Sequence, residues 1–479
     1  MTTTARNKNG LLTNLWKKKG VPVLVIFIML LAASCKKFVS IDPPITQITT
    51  STVYASDATA TAAISGIYSQ MIGTTSFASG GLGSVTVMTA LSADELINYS
   101  PSQDYLQFYT NAINPVNNSV LTSNLWLPMY SFIYQANLVH EGLSRSTALT
   151  VSTRSQLMGE ALFLRAFCNF YLVNLFGDVP LVTSTDYRQN KNLSRASKTE
   201  VFSRIIDDLK EAQGLLNDDY SFTAGERVRP NQWAATALLA RAFLYAGQYA
   251  NAEAEASKII NNSSLYNLLP DPNAVFLKNS REAIWQLKPV SSTRNTNEGE
   301  LFIFNGTPGR VSLSNQVMTA FETGDQRKAK WTGTSTGGSS TYFFPYKYKV
   351  ASSSALTEYS MVLRVAEQYL IRSEARAKQA NISGALDDLN AIRNRAGLSN
   401  FNAVTESAVL DALVHERQVE LFTEWGHRWL DVKRMGKVDQ VMTSVTPMKG
   451  GIWNTTQQLY PIPHSERLND PNLTQNPGY

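Results

Sequence analysis

Two stretches of this chain repeat one pattern at a distance of 133 residues. "LLARAFLYAGQYANAEAEASKII" (238–260) reads as a helix, an Ala-Gly turn and a second helix. "LIRSEARAKQANISGALDDLNAIR" (370–393) has the same form, and the shift of 133 aligns Ala252 with Ala385 and Ile259 with Ile392. A helix pair of this kind cannot bury its apolar face alone. Several must stack, sharing a core and leaving a concave face. A third pair joins 156–176 to 198–216 across "GDVPLVTSTDYRQN". In its first helix Leu157, Ala161, Leu164, Cys168, Tyr171 and Leu175 form one stripe and Phe163, Phe167 and Phe170 a second, so that helix is expected to be covered on more than one side.

Helix pairs of about 34 residues look like tetratricopeptide units. Further amphipathic helices are expected over 58–71 and 124–143. Residues 291–357 interrupt the pattern with Ser, Thr, Gly and Asn around Phe302, Phe304, Trp331, Tyr342, Phe343, Phe344, Tyr346 and Tyr348. Short strands are expected over 282–287 and 342–350. The expected fold is mainly α: a tetratricopeptide-like helical repeat scaffold with long loops and a few short strands, forming one domain over 58–479. Long loops in a compact domain are usually functional, which marks 291–357 as a ligand-binding insertion.

The beginning of the chain reads as a targeting segment. Arg6, Lys8, Lys17, Lys18 and Lys19 precede an apolar run at 21–33, which ends in Leu31-Ala32-Ala33-Ser34-Cys35. The run is shorter than the roughly 20 residues that span a bilayer and fits an export signal. Small residues leading into cysteine resemble a bacterial lipobox. Residues 1–34 are then removed, Cys35 carries lipid worth about 0.8 kcal/mol per buried methylene, and the polar segment 35–57 is a tether. Residues 1–34 hold five of the 43 basic residues and no acid, which leaves 38 basic residues against 38 acidic ones in the rest. A neutral chain without a basic tract is a poor nucleic-acid binder. Cys168 has no second cysteine beyond Cys35 to pair with, so a disulfide framework is excluded.

Catalytic signatures are few. His415-Glu416 begins like a zinc-protease helix, but Val419 stands where the second histidine belongs. No Gly-x-Ser-x-Gly elbow occurs, and "GGLGSV" (80–85) lacks the third glycine of a dinucleotide loop. No metal, cofactor or turnover is expected. Glu416, Glu420 and Glu424 share one helical face. They could form a glycosidase pair, but the reading adopted is a partly buried ion network neutralised by Arg417 and Arg428 over Trp425 and Trp429. Asp207-Asp208 and Asp387-Asp388 read as solvated helix faces, and the proline-punctuated end, 461–479, as a tail packed on the body.

Five segments, "GEALFLRAFCNFYLVNLFGDVPLV" (159–182), "LRVAEQYLIRSEARA" (363–377), "LNAIRNRAGL" (389–398), "ERQVELFTEWGHRWLDVKRMGK" (416–437) and "LYPIPHSERLNDPNLTQNPGY" (459–479), resemble the SusD/RagB family of Bacteroidetes outer-membrane lipoproteins. The resemblance implies four tetratricopeptide-like units and a role as the nutrient-capturing lid of a TonB-dependent (SusC-like) barrel transporter. It also implies a lipid-anchored, surface-facing position in the outer membrane.

A sugar offers a flat C–H face and a rim of hydroxyls, so its site needs exposed rings with amide or charged neighbours. Two stretches supply both. One is 94–118, with Asp94, Tyr99, Tyr105, Phe108, Tyr109, Asn111 and Asn114. The other is 302–348, where Trp331 sits in a Gly/Ser-rich setting. The expected ligand is an oligosaccharide or polysaccharide, with a peptide or protein as the alternative.

Overall fold

The computed structural model describes Thr2, residues 50–74 and residues 76–479. Cys35 and most of the tether lie outside the described residues. Residues 53–479 gather into one compact unit.

Two helices open it, α1 (Asp57–Met71) and α2 (Val85–Ser92), followed by the short strand β1 (Leu96–Asn98) and α3 (Gln103–Tyr109). The scaffold proper follows as α4 (Leu127–Arg145), α5 (Val151–Phe176), α6 (Lys198–Leu215), α7 (Gln232–Tyr245) and α8 (Tyr249–Asn261). Then comes the strand-bearing segment: β2 (Ala283–Leu287), β3 (Val311–Leu313), the one-and-a-half-turn α9 (Gln326–Trp331), β4 (Thr332–Gly337), β5 (Ser340–Pro345) and β6 (Ser360–Arg364). The chain returns to helices with α10 (Val365–Lys378), α11 (Ile382–Arg395), α12 (Glu406–Leu421), α13 (His427–Arg434) and α14 (Val438–Met448).

The repeat reading holds in detail. Successive helices pack α4 on α5, α5 on α6, α6 on α7 and α7 on α8, and α8 packs on α10 across the strand-bearing segment before α10 meets α11 and α12. Ala252, Ala385, Ile259 and Ile392, matched by the 133-residue shift, are all fully buried. Small residues at these crossings let backbones approach closely. A Cβ at Gly159 of α5 would lie 2.7 Å from the Leu216 side chain. Both stripes of α5 are buried, as its doubled apolar pattern requires. A capping box of Ser197 and Glu200 starts α6, and Gly177, at φ +75°, ends α5.

Some boundaries differ from expectation. The helix expected over 124–143 begins as a π-helical turn, Leu121–Trp126, before α4. The strand expected over 342–350 stops at Pro345, because Lys347 and Tyr348 turn into the interior. Among the described residues every sheet is two-stranded. Antiparallel β1–β3 pairs Leu96 with Leu313, β2 pairs with β6, and β4–β5 is a hairpin. The tail is tied down by Asn476, whose Nδ2 donates to the Phe176 and Tyr460 carbonyls at 2.8 and 2.7 Å. Its prolines do not prevent a short helix over His464–Asn469.

A tyrosine face and a buried ionic core

The two aromatic stretches have opposite fates. The first forms an open face. The Tyr99 amide donates to the Arg310 carbonyl at 2.8 Å, which extends the β1–β3 pairing by one residue. The β4–β5 hairpin packs on β3 and brings Tyr342 edge-on to Tyr99, ring centroids 5.9 Å apart at 87°. From α3 come Tyr105 and Tyr109, both part-buried. Burial raises the Tyr109 hydroxyl above its ordinary pKa, and the nearby Tyr99 adds to the effect. Burial also raises Tyr105, against the pull of the Arg310 guanidinium. Arg310 itself is exposed. Lys449 stands beneath this face, its Nζ 5.3 Å from the Tyr109 ring centroid and bonded to the Leu91, Ser92 and Ala93 carbonyls at the end of α2. Burial pushes that amine down to about 7.

The other first-stretch candidates make the wall behind these rings. Phe108 is fully buried and meets Tyr460 edge-on at 5.3 Å. Asn111 is a buried corner at φ +55°, its Nδ2 donating to the Ser92 carbonyl and Thr446 Oγ1, both at 3.1 Å. Asp94 is buried with its carboxylate held by the Arg428 guanidinium at 2.8 and 2.6 Å. All three are therefore corrected from ligand contacts to supports, because their polar atoms or ring faces are already engaged. Asn114 is exposed at the rim, its Oδ1 accepting from the Val116 amide at 2.8 Å.

Trp331 requires the largest correction. It was expected to stand open in a Gly/Ser-rich loop, yet it is fully buried at the end of α9. Its indole N–H donates to the Pro272 carbonyl at 2.9 Å. Phe276 meets it edge-on at 5.7 Å, and Lys347, Arg395 and Arg364 lie 4.9, 5.2 and 5.8 Å from its ring centroid. The physical reason is the ion network around it. Arg327, four residues earlier on α9, is also fully buried and binds Asp325, Glu416 and Glu420 at 2.8, 2.6 and 3.0 Å. The two side chains enter the interior together. Sequence composition conceals this, because two of the three counter-ions, Glu416 and Glu420, come from 89 and 93 residues away.

The same network settles the role of the glutamates. Arg364 binds Glu282, Glu420 and Glu424 at 2.9, 2.6 and 2.8 Å, Arg395 binds Glu420, and Lys347 binds Glu424. Burial would raise Glu420, but Arg395, Arg364 and Arg327 together hold it well below the usual carboxylate range. The structural reading of 416–424 thus stands, while its expected partners are corrected. Arg417 binds Asp431 at 2.6 Å, and Arg428 binds Asp94. Likewise Asp208 and Asp388 are buried partners of Arg165 and Arg372 rather than solvated charges. Among the described residues, no group of three or more His, Cys, Asp or Glu side chains is placed to hold a metal.

Comparison with known proteins agrees with this architecture. A family described as "Starch-binding associating with outer membrane" matches residues 60–244, and the SusD family matches residues 281–479. The chain belongs to the SusD/RagB family. SusD-like protein P2 of Formosa agariphila is 26% identical over 75% of this chain and 81% of its own. A SusD superfamily structure from Bacteroides vulgatus superposes with a TM-score of 0.76 at 21% identity, over 89% of this chain and 100% of the other. A structure described as a laminarin-binding SusD-like protein gives 0.73 at 23% identity, over 88% and 99%. The helical, tetratricopeptide-like fold is therefore that of the SusD/RagB family. Two residues of the tyrosine face escaped the sequence reading. Tyr342 was seen only as one aromatic among eight, and Arg310 carried no signal at all.

Proposed function

We propose that this chain is a lipid-anchored outer-membrane protein that holds an oligosaccharide on the tyrosine face and passes it to a TonB-dependent, SusC-like transporter. The observation that carries the reading is the meeting of Tyr99 and Tyr342 beside Tyr105 and the exposed Arg310. Rings at a steep angle offer C–H faces of a sugar both a stacking plane and an edge, with hydroxyls and a guanidinium at the rim. The family's starch-binding description and the laminarin-binding neighbour favour sugar over peptide. Anchoring through Cys35 and removal of residues 1–34 belong to the same proposal, as does the single domain over 58–479.

A lid must collect cargo and release it. Affinities between micromolar and millimolar, about 4–8 kcal/mol, suit that task, and a few stacking contacts of about 0.5–1.5 kcal/mol each provide the needed gradation. The test is calorimetry of the purified protein against panels of glycans and peptides. Binding of an oligosaccharide that is lost in Tyr99→Ala supports the reading. Binding of peptides alone, or glycan binding indifferent to Tyr99 and Tyr342, overturns it.

A further inference from the structure

A cavity of about 470 Å3 lies where the end of α5, the start of α6, α13 and the C-terminal tail meet. Four basic side chains line it: Arg195, Lys198, Lys433 and Arg434. Arg434 is already neutralised, by Glu374 at 2.7 Å and Asp431 at 2.8 Å. The other three have no carboxylate within 4.0 Å among the described residues. Arg195 is fixed by neutral acceptors, the carbonyls of Asp178, Thr474 and Phe176 at 2.7, 3.0 and 3.3 Å and the side chain of Asn476. Lys433 Nζ donates to the carbonyls of Asn174 and Gln458 at 2.5 and 3.0 Å and stands 5.5 Å from the Trp429 ring centroid. An ammonium has three donors, and two carbonyls take only two of them. Lys198 Nζ lies 5.8 Å from the Phe202 ring. Asp178, the one acid among the lining residues, accepts the Lys198 backbone amide at 2.8 Å.

Three cations without an ion-pair partner, the half-buried Arg195 and Lys433 and the exposed Lys198, share this cavity with one carboxylate and leave it with a net positive charge. Elsewhere this protein neutralises its buried guanidinium groups with great regularity, as around Glu420 and Asp208. Here the cations without an ion-pair partner surround a cavity. Leu430, Leu459 and Pro477 give the remaining wall an apolar character.

We infer that this cavity is a binding site for a small oxyanion, a carboxylate or sulfate group either free or carried on a larger molecule, held between Lys198 and Lys433. Burial, aided by the charge of Lys198, pushes the Lys433 amine down to about 7, and a bound anion restores its proton. The cavity also faces the Arg195 and paired Arg434 guanidinium groups and the Asp178 carboxylate. Anion affinity therefore falls as pH rises through neutrality, when Lys433 gives up its proton.

The experiment titrates the purified, detergent-solubilised protein with inorganic sulfate and, separately, with glucuronate at constant ionic strength. Saturable binding at about pH 6 is expected, weakened roughly tenfold near pH 8.5 as the amine deprotonates. Lys433→Met should lose binding, and Lys198→Met, on the first turn of α6 where the fold does not depend on it, should weaken binding about fivefold or more. Tighter binding of glucuronate than of sulfate identifies a carried carboxylate, and the reverse order a free anion. Absence of saturable binding by either probe, or affinity unchanged in Lys198→Met, overturns the inference. Neither result bears on the tyrosine face, whose rings are not part of this cavity.

Discussion

The stretch 99–109 and the stretch 331–348 are alike on paper, each setting aromatic rings among polar residues, and the structure uses them in opposite ways. In the first, charge stays behind the rings. Asp94 is consumed by Arg428 and Lys449 by helix-end carbonyls, so Tyr99, Tyr105 and Tyr109 remain partly open. In the second, charge goes inward and takes the rings with it. Arg327 and Lys347 are buried against Glu416, Glu420 and Glu424, and Trp331 lies among three cations. An aromatic residue beside a basic one is a surface feature only if the base has no distant acid to seek.

The largest expected effect is on the buried side of this comparison. Trp331→Ala should cost about 3–5 kcal/mol of stability, the usual range for emptying a large aromatic site, measured by chemical denaturation. Glu420→Gln, which leaves Arg327, Arg364 and Arg395 short of an anion, should cost a similar roughly 3–5 kcal/mol. A melting curve unchanged in both variants would return Trp331 to the list of ligand contacts.

Next comes a pH effect seated in the same loop-rich segment, 291–357. Glu298 is buried, its Oε1 accepting from Ser360 at 2.5 Å, and burial raises its pKa from 4.5 to about 7. The folded state therefore binds a proton that the unfolded chain has released, and this contribution is full below about pH 4.5 and lost as pH rises through about 7. The loss is on the order of 3 kcal/mol at most. Denaturation curves across that window should be flatter in Glu298→Gln than in the wild type, and equal slopes would remove Glu298 as their source.

On the open side, Tyr99→Ala and Tyr342→Ala should each weaken oligosaccharide binding about tenfold, near 1.4 kcal/mol, with the melting temperature little changed. Calorimetry beside a melting curve separates the two regions directly, since Trp331→Ala should show the reverse balance. A ligand affinity indifferent to both tyrosines would break the comparison at its functional end. The smallest effect is expected at Asn114, exposed on the rim with its side chain turned to the Val116 amide. Asn114→Ala should change both affinity and stability by no more than about 0.5 kcal/mol, and a larger loss of affinity would extend the site to that rim.

The repeats were legible because a helix buries what its own period dictates. Ala252 and Ile259, Ala385 and Ile392, and the doubled stripes of α5 announce their burial within a few turns of chain. Tyr99 and the tyrosines of α3 were legible for a related reason, as rings in a segment too polar to bury them all. Burial of Trp331, the true partners of Glu416, Glu420 and Glu424, and the arrival of Tyr342 and Arg310 beside Tyr99 were not. These depend on contacts between residues 23 to more than 200 positions apart, and no local pattern encodes which distant charge a guanidinium will find. Sequence by itself determined the helical scaffold, since backbone hydrogen bonding and apolar periodicity are local. Only the tertiary structure decided which rings face water, because that choice follows from where long-range ion pairs and strand pairings draw the chain inward.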